Sequence, residues 1–144
     1  MAKRKGFSAA KRGEFTPLNK DKFFVKHNSQ NGGKIIYRSS WELEFMKWCD
    51  HNDNITKIAS EPFHIPYIDY TGKHRKYFPD FLVVWNNKML LLEIKPHNQK
   101  KDPTNVRKFA FAEHYAQNRN MEFMVLTERE LKTLIQKPKK SKKN

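Results

Sequence analysis

The chain has 144 residues, 29 of them Lys or Arg against 15 Asp or Glu, for a formal charge of +14; that length suits one domain with its own core, and that charge selects polyanions as partners. Cys49 is the sole cysteine, which excludes an internal disulfide and fits a reducing compartment. No apolar run approaches the roughly 20 residues of a membrane span, and no apolar segment follows the basic N-terminus as in a signal peptide, so a soluble, intracellular, non-secreted protein without a transmembrane segment is expected.

In chain order, residues 1–33 read as a basic, largely disordered arm. Residues 1–26 carry eight Lys or Arg against Glu14 and Asp21, a net +6. At the other end, residues 137–144 hold five lysines and no acid, which leaves +3 for the body of the chain. Both tails are too polar to bury a core. Segments of this kind hold phosphate backbones without reading sequence; a solubilising or membrane-surface tail is the competing reading.

The folded domain is expected over residues 34–136. Asn31-Gly32-Gly33 reads as a turn and 34–37 as a short strand. Ser39, followed three residues later by Glu42, forms a capping-box pattern that starts a helix over about 40–51. Phe45, Met46 and Cys49 lie three, four and seven residues after Glu42, so Glu42 shares the core-facing stripe, whereas Glu44 shares a mixed face with Lys47, Trp48 and His51. An acid on the buried stripe suits a site residue. Capping alone accounts for it equally well.

Residues 55–59 and 63–70 read as strands, with Pro62 and Pro66 at edge or bulge positions and Thr71-Gly72 as a turn. The basic run Lys73, His74, Arg75 and Lys76 then leads toward Asp80. It suits a phosphodiester contact, and it equally suits a solvated strand edge.

Two apolar strands follow, 81–85 and 88–92, joined by Asn86-Asn87, residue types that tolerate the positive φ of a tight hairpin. With those two asparagines as the whole loop, Trp85 pairs with Lys88 and the register runs back until Asp80 lies opposite Glu93. Opposed Cβ atoms are about 5 Å apart and like charges there repel, so the pair needs a proton, a cation or a basic neighbour. Lys95 projects from the same face as Glu93. Leu82, Val84, Met89 and Leu91 flank this triplet, while Phe81, Val83, Leu90 and Leu92 line the other face, so the hairpin belongs in the middle of an α/β layer structure. A strand-start Asp and a surface Glu-Lys pair are the bland alternative.

Beyond Lys95 a polar loop carrying Lys100 and Lys101 leads to Pro103, which suits the first turn of a helix to about 118. Its periodicity places Val106, Phe109, Ala110 and Ala116 toward the core, leaving Arg107, Lys108 and Arg119 for solvent or phosphate. Residues 121–126 read as a last strand. Thr127 with Glu130 caps a final helix ending near 136, before the tail lysines Lys139, Lys140, Lys142 and Lys143. The order is helix, a three-stranded antiparallel run, helix, strand, helix.

Two or three carboxylates with one Lys suit a hard cation such as Mg²⁺, with Mn²⁺ in its place. Such a centre polarises a phosphate and activates water, and Lys95 would stabilise developing charge or orient that water. With the basic tails, this describes hydrolysis of the DNA backbone.

Pro79-Asp80 and Glu93-Ile94-Lys95 after a helical Glu42 resemble the PD-(D/E)XK nuclease superfamily. More narrowly, YRSSWELEFMKWCD, SEPFHIPY, HRKYFPDF, LLEIKP and FMVLTEREL resemble the TnsA-type transposon endonuclease domain and the related head-completion proteins of T-even-like tailed phages. The resemblance covers about residues 34–131. It implies an α/β (α+β) restriction-endonuclease-like core, a mixed sheet flanked by helices, with Glu42, Asp80, Glu93 and Lys95 catalytic and the three acids holding Mg²⁺. Lys73, His74, Arg75, Lys76, Lys100, Lys101, Arg107, Lys108 and the four tail lysines are the candidate DNA contacts. The phage relatives imply work on a packaged DNA end, with head or portal proteins as partners, in the host cytoplasm during assembly or in the virion. A silent DNA-binding head protein and a partner-dependent transposase subunit remain as alternatives. An RNA binder of ribosomal type has no reason to align Asp80, Glu93 and Lys95.

Overall fold

Asn86 and Asn87 have φ of 52° and 69°, the left-handed pair that a two-residue hairpin turn needs. They join β7 (Phe81–Trp85) to β8 (Lys88–Ile94), with Phe81 opposite Leu92 and Trp85 opposite Lys88, the register expected from the loop. A computed structural model describes residues 12–25 and 34–140 and sets this hairpin at the centre of a five-stranded mixed sheet.

The other strands of that sheet are β2 (Phe23–Val25), β4 (Ile55–Ser60) and β9 (Glu122–Leu126), in the order β2-β4-β7-β8-β9. β2 runs parallel to β4 and β9 parallel to β8, while the β4-β7-β8 run is antiparallel. Two small ribbons stand apart: β1 (Gly13–Phe15) with β3 (Ile35–Tyr37), and β5 (Ile65–Ile68) with β6 (His74–Tyr77). Residues 63–70 therefore give a shorter strand than expected, and it pairs with part of the basic run. Asp69 organises the turn between them: its Oδ1 accepts from Thr71 N, Thr71 Oγ1 and Lys73 N, with Gly72 at φ 92°.

Helix α1 (Ser40–His51) and α3 (Glu128–Lys140) cover one face of the sheet. Phe45, Met46 and Cys49 of α1 and Leu131 of α3 are at most 1% exposed and pack with Ile58, Phe81, Val83, Leu90 and Leu92. Each expected capping box closes on one side only. Ser39 Oγ accepts from Glu42 N at 3.2 Å, and Glu130 Oε1 accepts from Thr127 N at 2.7 Å. α3 runs on to Lys140, past the expected end near 136.

The opposite face carries α2 (Pro103–Gln117) and the β5–β6 ribbon, whose Ile65, Tyr67 and Tyr77 pack with Leu91 and Ala112. Of the four α2 residues expected inward, Phe109 and Ala116 pack against the core and two do not. Val106 is 51% exposed and Ala110 lies outside; the buried residues are Asn105, Ala112 and Ala116. Asn105 is tolerated there because its Nδ2 donates to Gln99 O at 2.8 Å. The inward stripe at helical spacing is thus 105, 108, 109, 112 and 116, which carries Lys108 inward.

The N-terminal arm also departs from expectation, since residues 13–25 are not an unstructured tether. Pro17 and Phe23 are buried, and β2 extends the main sheet. Asp50, 2% exposed, accepts from Leu18 N at 2.7 Å and Asn19 N at 2.9 Å. Lys22 Nζ donates to the carbonyls of Cys49, Asp50 and Asn52, filling orphan acceptors at the end of α1. The arm is sewn to the helix terminus by charged groups. Residues 1–11, 26–33 and 141–144 lie outside the described ones. No helix among the described residues is long and apolar enough to cross a membrane.

Candidate active site

The β7–β8 register brings Asp80, just before β7, beside the C-terminal end of β8. Phe81 pairs with Leu92, so the next rung outward is Asp80 opposite Glu93. Asp80 Oδ2 accepts from Ile94 N at 2.8 Å, and its own carbonyl accepts from Glu61 N at 2.8 Å. Backbone on both sides thus fixes the approach to β7.

Glu93 is 5% exposed. Its Oε1 accepts from the Tyr77 hydroxyl at 2.7 Å, and its Oε2 lies 3.5 Å from Lys95 Nζ. Lys95 follows β8 and is held there by its own amide, which donates to Leu126 O at 3.1 Å. Asp80, Glu93 and Lys95 do share one site, as the strand register predicts.

Burial raises the pKa of Asp80 well above the carboxylate range, and the neighbouring charges of Glu93 and Glu42 push it further, against the Ile94 amide. Burial likewise raises Glu93, opposed by Lys95, Tyr77 and Lys108. The two acids titrate as a pair. Tyr77 pays in the same way: burial and the charge of Glu93 hold its hydroxyl protonated far above the usual phenol range, which keeps it a donor.

Glu42 sits at the start of α1, close enough for Asp80 to feel its charge, and burial raises its pKa too. Its carboxylate, however, accepts from Arg38 N at 2.8 Å. That amide precedes the N-cap Ser39, so the bond is not the reciprocal half of a capping box, and it leaves Glu42 beside the acid pair. Among the described residues no three His, Cys, Asp or Glu side chains are placed to hold one metal ion together; of the expected ligands Asp80 and Glu93 stand on opposed rungs, and Glu42 is near enough for Asp80 to feel its charge. Asp80 Oδ1 and Glu93 Oε2 remain on that pair as hard oxygen donors. One or two carboxylates, completed by waters and substrate phosphate, suffice for Mg²⁺, so the donor set fits such a cation.

Tyr77, which the sequence does not mark, ends the basic run and is the donor to Glu93. Lys108, expected as an outward cation or DNA contact, faces the acid pair instead: burial lowers its pKa, as does the charge of Lys95, while Glu93 and Asp80 oppose the drop. Its ammonium lies 5.3 Å from the centre of the Tyr77 ring. Its spacing from Asn105, Ala112 and Ala116 is the signal that marks it.

Of the remaining expected DNA contacts, Arg75 and Arg107 also bond within the fold. Arg75 Nε is tied to Asp69 Oδ2 at 2.6 Å, and Arg107 Nε donates to Ile68 O at 2.8 Å. Lys73, His74, Lys76 and Lys101 are exposed, Lys100 half-buried. Lys139 and Lys140 close α3, and Lys142 and Lys143 lie outside the described residues.

A family model described as TnsA-like endonuclease N terminal matches residues 52–128, a span that contains Asp80, Glu93 and Lys95 but not Glu42. The head completion nuclease of Enterobacteria phage T4 is 31% identical over 128 residues, covering 70% of this chain and 83% of that protein.

Proposed function

The chain belongs to the TnsA-like endonuclease family, and from that premise we propose that it is a divalent-cation-dependent endonuclease that hydrolyses DNA phosphodiester bonds at the Asp80–Glu93–Lys95 site. The observation that carries this is the opposed acid pair of half-buried Asp80 and buried Glu93, with Lys95 3.5 Å from Glu93. Two acids so placed weaken a fold unless something positive uses them.

Asp80 and Glu93 would hold the cation, Mg²⁺ or Mn²⁺. When bound, it polarises the scissile phosphate and makes a water acidic enough to attack it. Lys95 supplies a fixed positive charge beside the phosphate, whose negative charge grows in the transition state. Tyr77 keeps Glu93 oriented and ionised by donating to one oxygen while the other faces Lys95 and the centre. Lys108 adds positive potential on the same side. The name of the T4 relative, head completion nuclease, supports a role in completing a phage head, and action on or holding of a packaged DNA end is the form of that role proposed for this chain.

The engagement of Glu42 with Arg38 supports a second reading, in which the fold binds DNA at the phage head without cutting it. One experiment separates them: cleavage of labelled linear, supercoiled and forked DNA in Mg²⁺, Mn²⁺ or EDTA by the wild type and Lys95→Ala. The nuclease reading expects metal-dependent cleavage that falls by ~10²–10³-fold in the variant. Binding without cleavage on every substrate favours the silent protein, and undiminished cleavage by Lys95→Ala removes that side chain from the site.

A further inference from the structure

The β5–β6 ribbon has two unlike faces. Its register pairs Ile65 with Tyr77, Pro66 with Lys76, Tyr67 with Arg75 and Ile68 with His74. Period two then separates the pairs. Ile65, Tyr67 and Tyr77 are 2%, 5% and 3% exposed and pack toward Leu91. The other face carries Pro66 with Lys76 and Ile68 with His74, and none of the four is an acid.

One residue before Ile65 and one after Tyr77 are His64 and Phe78, whose rings pack with centroids 5.7 Å apart at 51°. Phe78 is 49% exposed although Tyr77 and Pro79, on either side of it, are buried. Asp80 is the second residue after Phe78, at most ~7 Å along the chain. An aromatic pair thus stands in water at the ribbon end that runs into the acid pair, with Lys76 behind it on the same face.

We propose that His64 and Phe78, backed by Lys76, form a subsite that stacks an unpaired base of the DNA strand next to the scissile phosphate, so that single-stranded or frayed DNA is the preferred substrate. The proposal rests on the nuclease reading only in naming DNA as the occupant. Every base has a π-face that an exposed aromatic ring can cover, and a nearby cation holds the backbone it hangs from. Paired bases in a duplex offer only their edges in the grooves. A protein partner docking on Phe78 is the rival occupant, and it would leave nucleotide binding indifferent to this ring.

The test is binding of single-stranded and duplex oligonucleotides carrying 2-aminopurine, in EDTA so that no strand is cut, by wild type, Phe78→Leu, Phe78→Trp and Lys76→Gln. The wild type should quench the probe in single strands. Phe78→Leu should lose most of that quench and bind single strands about tenfold more weakly, with a smaller loss on duplex; Phe78→Trp should retain both. Lys76→Gln should flatten the salt dependence of single-strand binding by ~0.7 in log–log slope, one phosphate contact. Equal quench and affinity in wild type and Phe78→Leu would overturn the subsite, as would equal losses on both DNA forms. Cleavage plays no part in these readings: a wild type that never cuts DNA in metal would defeat the nuclease assignment and leave base stacking to be judged alone.

Discussion

Replacing Asp80 by Asn should stabilise the metal-free protein while abolishing its activity. Asn keeps an oxygen to accept from Ile94 N, the contact of 2.8 Å, and removes one of two opposed charges. At about 5 Å and an effective dielectric constant of about 20, two like charges repel by about 3 kcal/mol. Exchange of a charged for a neutral acceptor at Ile94 returns about 1 kcal/mol of that. The net gain is about 2 kcal/mol, a rise of roughly 6–8 °C in Tm for a chain this size.

The pH dependence follows from the raised pKa values of Asp80, Glu93 and Glu42. Above the ordinary carboxylate range these three groups bind more protons in the folded state than in the unfolded one, so their contribution to stability is full below about pH 4 and falls as pH climbs through the raised pKa values. The advantage of Asp80→Asn should therefore be smallest in acid, where the raised pKa values keep protons on the pair, and largest in mild alkali. Thermal unfolding in EDTA across that range measures it. A variant less stable than wild type in mild alkali, or an advantage that does not change with pH, would refute the claim that the two charges oppose each other.

Tyr77→Phe removes the donor that helps hold Glu93 ionised; the acid limb of the cleavage pH profile should move up by about one unit, and an unmoved limb would take Tyr77 out of the site. Asp50→Ala leaves the amides of Leu18 and Asn19 without their acceptor and should cost about 3 kcal/mol in denaturant unfolding; a negligible loss would mean that residues 17–25 are held in some other way. Deleting residues 137–144, with their five lysines, should weaken DNA binding and lower the log–log salt slope by up to ~4, whereas an unchanged slope would deny the tail its contacts.

What the sequence made legible was local. Asn86-Asn87 fixed a register, the register placed Asp80 beside Glu93, and period two added Lys95. Ser39 with Glu42 and Thr127 with Glu130 marked helix starts in the same short-range way. The residues that escaped are those whose partners are distant. β2 pairs in parallel with β4, Phe23 opposite Ile58, with a strand and a helix between them in the chain, and three-residue strands carry too little pattern to announce this. Asp50 reads as a surface acid until the far amides of Leu18 and Asn19 reach it. Hydrophobicity set the phase of α2 on Val106 and Ala110, while the actual inward face accepts Asn105, satisfied by Gln99, and Lys108, which the acid pair attracts. Polar residues drawn inward by a site break the apolar periodicity used to find the core. Glu42 shows the converse. Its position on the buried stripe was readable, but only the geometry reveals that Arg38 engages its carboxylate.

The measurement that bears most directly on this account is Mn²⁺ binding, followed by electron paramagnetic resonance, in wild type, Asp80→Asn and Glu93→Gln. The account expects a bound ion in the wild type, tighter as pH rises and protons leave the acid pair, and its loss in either variant. Mn²⁺ bound equally well by all three proteins, with DNA cleavage proceeding at full rate in EDTA, would contradict it.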